Sequence, residues 1–168
     1  MTRHRPLRTG IRFRLFGFTF IELMVTLAIM AVLVTVAVPL LQINVQRQKE
    51  RELRMALTEI REALDAYKRA SEQGRIPMRI GESGYPQTLE QLVEGVEDQR
   101  SPTRQKMYFL RRIPADPMVS PEERNSAGAW GLRSYDSPPD APAEGEDIFD
   151  VYSRSDKVGL NGVPYREW

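Results

Sequence analysis

From Phe18 to Leu41 the chain is a nearly unbroken run of apolar residues, with no charge between Leu23 and Leu41. A helix of about 24 residues, rising 1.5 Å at each, covers the roughly 30 Å hydrocarbon layer of a bilayer. The pattern then changes. Leu53, Leu57, Ile60, Leu64 and Tyr67 recur at alternating steps of four and three, while Arg51, Glu52, Arg54, Glu59, Arg61, Glu62, Asp65, Lys68 and Arg69 fall on the other faces. That is one apolar stripe on an otherwise charged helix. It is too short to demand a coiled coil and is suited to packing on a small domain. No glycine or proline lies between Val45 and Gln73, and Gly74 offers a C-cap, so the pattern predicts one helix from Phe18 to Gln73, about 80 Å long. Pro39 sits inside it, where a missing N–H and a ring clash either bend the helix or end it. The return of periodicity beyond it favours continuation.

After Gly74 the pattern is shorter and broken by prolines. Gly74–Gly84 reads as a loop. Tyr85–Gly95 has the form of a short helix, with Thr88 and Gln91 as a T-x-x-Q capping box and Leu89, Leu92 and Val93 facing inward. A polar connection, Glu94–Lys106, leads to a segment in which Met107, Phe109 and Leu110 are candidates for burial and Pro114 and Pro117 prevent regular helix. Met118–Gly128 reads as a further loop. Two β-prone runs follow, Ala129–Tyr135 and Asp147–Ser153, joined by a proline-rich acidic spacer expected to be a mobile hairpin connection. With a third strand near Tyr108 they would form a small antiparallel sheet on the helix stripe, an α+β fold.

A chain of 168 residues, 41% hydrophobic and 28% charged, fits one modest domain plus a membrane segment. The net charge of +1 conceals an asymmetry, because Arg3, Arg5, Arg8, Arg12 and Arg14 all precede Gly17 and no acid does. Without those five, 19 basic residues remain against 23 acidic ones, a balance of −4 that argues against nucleic-acid binding. The same arginines place the N-terminus in the cytoplasm and everything after Leu41 across the membrane. Cysteine is absent and His4, in the leader, is the one histidine. Thiolate zinc sites, disulfides and His-dependent nucleophilic catalysis are therefore excluded, leaving only carboxylate chemistry.

Glu22 is the anomaly of the apolar run. An ionised carboxylate costs roughly 2.5 to 3.5 kcal/mol at mid-bilayer and less near the interface, so it either has a partner or sits at headgroup depth. No small-residue cleavage pattern of the secretory kind follows the apolar run, and Gly17 precedes it. A basic leader followed by Gly17, Phe18, Thr19, Phe20, Ile21 and Glu22 resembles the class III signal of type IV pilins and of the pseudopilins of type II secretion, with Pro39 where that family has a proline. The resemblance implies cleavage between Gly17 and Phe18 by prepilin peptidase, N-methylation of Phe18 and assembly into a helical filament. The new α-amine, with a reference pKa near 8, would be largely cationic. Its attraction to Glu22 at about 4 Å is on the order of 4 kcal/mol at an effective dielectric near 20, before desolvation. In the family that pairing joins neighbouring subunits.

Tyr85, Pro86, Thr88, Leu92, Tyr108, Ile113, Pro114, Asp116 and Pro117 are similar to the pattern of the G-type major pseudopilin. The stretch from Ser155 to Trp168 resembles that family's C-terminal loop, which often binds calcium, and Asp156 falls on one of the acidic ligands. Ser155, Asn161 and main-chain carbonyls are the other oxygens at hand, and the family's second aspartate cluster is missing. Calcium at Asp156 or a loop held by packing of Tyr165 and Trp168 are the two readings.

The organisation expected is a cleaved leader over 1–17, a transmembrane half-helix over 18–41, an amphipathic half over 42–73 and a periplasmic globular domain over 74–168, the type IV pilin lollipop. The function implied is a structural one. The chain would be a subunit of the inner-membrane pseudopilus that helps export folded proteins, working with copies of itself, other pseudopilins, prepilin peptidase and the inner-membrane secretion platform. The alternatives are a pilin of an adhesive, motility or DNA-uptake pilus, and a single-pass membrane-anchored binding domain.

Overall fold

The structure is a computed structural model describing residues 18–120, 122 and 127–168. The chain divides into two units, Met1–Gln42 and Ile43–Trp168. One helix, α1 (Phe20–Glu72), contributes to both. The elements after it belong to the second unit: α2 (Glu90–Glu94) and four strands, β1 (Val96–Glu97), β2 (Lys106–Met107), β3 (Trp130–Arg133) and β4 (Asp150–Ser153). The fold is α+β.

In the first unit every described residue is exposed. Thr19 begins α1 as its N-cap, accepting the Glu22 N–H on its hydroxyl at 3.3 Å, while the Leu23 N–H reaches its carbonyl at 3.1 Å. The hydroxyls of Thr26 and Thr35 donate to the carbonyls of Leu23 and Ala31 at 2.8 and 2.9 Å. Such back-bonding leaves no hydroxyl unpaired in an apolar surrounding. The helix continues without interruption through Pro39. Among the described residues α1 is the one helix long and apolar enough to cross a membrane.

In the second unit the stripe Leu53, Leu57, Ile60, Leu64 and Tyr67 is buried as expected, filled in by Ala56, Ala63 and Ala70. The alanines let neighbouring segments approach the helix axis between the large side chains. The C-terminus closes with a Schellman motif: Gly74, at φ +67°, donates to the Ser71 carbonyl at 2.8 Å and Arg75 to that of Ala70 at 3.0 Å. Leu89, Leu92, Leu110, Trp130, Ile148, Val151 and Tyr165 complete one core against the stripe.

Two local expectations are corrected. The T-x-x-Q box at Thr88 does not form, because α2 begins at Glu90 with the buried Leu89 in the cap position and no side-chain cap. Gln91 instead accepts the Gln87 N–H at 3.0 Å, serving the turn ahead of the helix. Nor is there a three-stranded sheet. The connection after Glu94 contains β1, which pairs antiparallel with β2, while β3 pairs separately with β4. The segment after β2 turns away because the amides of Phe109 and Leu110 both donate to the Leu92 carbonyl, at 3.0 and 2.9 Å, satisfying an end group of α2. Tyr108 is left exposed, its ring against Gly95 at φ +76°, where a Cβ would come within 2.8 Å of it. Of the three segment residues expected inside, Leu110 is buried and Met107 and Phe109 are half-buried against the core.

The spacer between β3 and β4 is pinned at its base. Asp147 accepts the Ser134 hydroxyl at 2.7 Å and the Tyr135 N–H at 3.0 Å, and the Ser134 N–H donates to the Ala143 carbonyl at 3.0 Å.

Candidate assembly and processing site

Of the residues singled out near the N-terminus, Glu22 lies in the first turn of α1. Gly17, with the rest of the segment 1–17 expected to be a leader, lies outside the described residues. Phe18 precedes the helix and is highly exposed, as are Phe20 and Ile21. Glu22 occupies the third helical position after Thr19, its N–H spent on the cap. Its carboxylate is exposed and makes no hydrogen bond or ion pair among the described residues. An acid in the first turn faces the positive end of the helix dipole, which is worth a few tenths of a kcal/mol to about 1 kcal/mol and does not consume its lone pairs. Among the described residues the site is thus an exposed carboxylate without a partner, one turn inside an apolar helix.

Thr19, above only a member of the Gly17–Glu22 run, is the N-cap of α1. Its signal was present, since Thr19 and Glu22 form a T-x-x-E pattern directly ahead of an apolar run.

Asp116 was noted only as part of a family pattern, and its task is now visible. Fully buried, it accepts the Ser153 hydroxyl at 2.6 Å and the Met118 N–H at 2.8 Å. Two residues before it, the Pro114 carbonyl accepts the indole N–H of Trp130 at 2.9 Å. The segment Pro114–Pro117 therefore ties β3 and β4 to the connection ahead of them. Asp150 on β4 in turn binds Arg61 of α1 at 2.7 Å and Arg133 of β3 at 3.3 Å.

The residues of the calcium reading do not come together as a cation site. Asp156 is exposed, and among the described residues no three His, Cys, Asp or Glu side chains are grouped to hold a metal. Ser155 accepts the Lys157 N–H at 3.4 Å and Asn161 the Val163 N–H at 3.1 Å, so both side chains serve turns of the loop. A calcium ion takes six to eight oxygens, so main-chain carbonyls would have to supply several of them beside Asp156.

Two carboxylates are held below their ordinary value. The Arg75 hydrogen bond holds Asp98 down against the opposing effect of burial. Burial raises Asp147, but its hydrogen bonds from Ser83, Tyr135 and Ser134 outweigh it. Burial pushes the Tyr67, Tyr85 and Tyr165 hydroxyls up. All five lie in the second unit, where they bear on folding.

The family described as the prokaryotic N-terminal methylation motif matches residues 14–38, which contain the Gly17–Glu22 run and most of the apolar helix. Over the longer range the chain is 30% identical across 128 residues to the type II secretion system core protein G of Escherichia coli K12, covering 70% of this chain and 79% of that protein. It is 29% identical to the protein of the same name from Klebsiella pneumoniae, over 79% of this chain and 91% of the relative. The one from Dickeya chrysanthemi is 28% identical over 87% and 94%. No solved structure matches the chain significantly. With an exposed apolar helix headed by the methylation motif, and a relative of this identity matched over most of its length, the chain belongs to the type II secretion system core protein G family, and as a G-type pseudopilin it is a membrane-anchored structural protein rather than an enzyme.

Proposed function

We propose that this pseudopilin is a subunit of the pseudopilus, a helical filament rising from the inner membrane that helps drive folded proteins across the outer membrane. In this reading the leader is cytoplasmic and the unit after Gln42 is periplasmic. Prepilin peptidase cuts between Gly17 and Phe18, and the Phe18 amine is then N-methylated. That cationic amine pairs with Glu22 of the neighbouring copy, setting the axial stagger, while apolar faces of successive helices pack around it. Pro39 leaves the Thr35 carbonyl without its usual i+4 donor and makes that turn the easiest place for the helix to adjust to a neighbour. Other pseudopilins and the inner-membrane secretion platform are the remaining partners, and nucleic acid is not among them.

The observation that carries the reading is the exposed Glu22 carboxylate with no partner among the described residues, at the head of a helix whose apolar side chains as far as Leu41 are all exposed. The test is Glu22→Ala in a strain that secretes through this system. Mass spectrometry is expected to find mature chains beginning with N-methylated Phe18 in both wild type and variant, with filaments and secreted substrate lost only in the variant. A mature chain that still begins at Met1, or normal filaments from the variant, overturns the proposal.

A further inference from the structure

Glu50 is a carboxylate on the buried face of α1, three residues before Leu53 on the same stripe, and it is almost wholly enclosed. One of its oxygens, Oε1, accepts three donors from three places. The Leu160 N–H reaches it at 2.7 Å from the C-terminal loop that follows β4, the Tyr165 hydroxyl at 3.0 Å from a 3-10 turn, Tyr165–Glu167, and the Gln46 amide at 3.4 Å from the preceding helical turn. Gln46 also donates to the Tyr165 hydroxyl at 3.0 Å. The loop between is closed on itself by the Val158–Pro164 bridge and by the Gly159 N–H on the Val163 carbonyl at 2.9 Å. Beyond it the Trp168 ring lies under the Arg54 guanidinium at 4.5 Å.

We infer that Glu50 fixes the C-terminal loop of this pseudopilin, so that the loop holds its shape without calcium. The chemistry is the inverse of a metal site. A calcium ion gathers oxygens around a positive centre, whereas here N–H and O–H donors are gathered around a negative one. A main-chain amide turned inward at Leu160 presents the wrong end of its dipole to a cation. The two arrangements are alternatives for one task, holding the loop against α1, and the scattered oxygens near Asp156 are consistent with the second having replaced the first. The inference concerns the folded chain alone and stands apart from whether it forms a filament.

The test uses the full mature chain in detergent. Its thermal midpoint is expected to differ by less than about 1 °C between millimolar calcium and chelator, because only a ligand that binds the folded state raises it. Trypsin reports on the loop through the exposed Lys157. Glu50→Ala removes the acceptor of three hydrogen bonds and is expected to speed cleavage there at least about tenfold, with no rescue by calcium. Glu50→Gln retains an acceptor oxygen and is expected to cleave within about threefold of wild type. Tyr165→Phe, which removes one donor and keeps the packing, is expected to fall between them and serves where the alanine variant does not fold. A calcium-dependent rise of several degrees in the wild type, or protection of Lys157 by calcium, overturns the inference. So does unchanged cleavage in both the alanine and the phenylalanine variants.

Discussion

The two halves of α1 use the same kind of residue for opposite purposes. Leu33 and Leu64 are leucines of one continuous helix, yet Leu33 is 62% exposed and Leu64 is 0%. In the Ile43–Trp168 unit the stripe finds its apolar partner in the same chain, and the charged faces remain in water or bind locally, as Lys68 does with Glu72 at 3.2 Å. In the Met1–Gln42 unit the described apolar side chains are all exposed, with nothing among the described residues to cover them. Burial is thus a property of partner supply: the second half of the helix is completed by folding, and the first requires lipid or another protein.

The sharpest way to break this comparison is the same substitution in each half, read by urea unfolding of the full chain in detergent through tryptophan fluorescence. Leu64→Ala removes a fully enclosed side chain and is expected to destabilise by about 2–5 kcal/mol. Next comes Asp116→Ala, which orphans the buried Ser153 hydroxyl and the Met118 amide and is expected to cost about 1–3 kcal/mol in the same assay. Smaller again is the response to acid. Asp98 and Asp147 have lowered folded pKa values, so the unfolded chain binds protons more readily than the folded one. Their contribution is complete above the ordinary value of 3.8 and is lost as pH falls below it. A urea midpoint flat from pH 7 to about 4.5 and falling below pH 4 is expected, with the acid arm reduced in Arg75→Ala. The smallest effect belongs to Leu33→Ala, expected to change unfolding by less than about 0.5 kcal/mol because the second unit does not lean on it. A large loss there would show that the apolar half is covered by its own chain after all.

Much of this was legible before any coordinates. The alternating spacing from Leu53 to Tyr67 names the buried face, and Gly74 marks the helix end to within two residues. The Gly17–Glu22 run carries the methylation motif, and the uncharged stretch after it marks an anchoring segment, because a bilayer imposes a length and a polarity that few other environments demand. Thr19 and Glu50 were also readable in principle, the first from T-x-x-E and the second from its place on the stripe, though a charge at a buried position gives no hint of what neutralises it. The failures were at short range and in the C-terminal half. Thr88 has the chemistry of a cap, but burial of Leu89 moved the start of α2. The third strand was displaced because Phe109 and Leu110 bond to the end of a helix whose position no local pattern records.

The sequence by itself determined the long helix, its division into an apolar and an amphipathic half, and the lone acid Glu22 at the head of the apolar run. Each depends on residues a few positions apart, where helical geometry alone relates them. Only the tertiary structure decided which strands pair, that Asp116 accepts the Ser153 hydroxyl of β4, and that Glu50 accepts the Leu160 amide. Those contacts join residues 37 and 110 positions apart in the chain, and their energies arise only when folding brings desolvated donors onto a carboxylate.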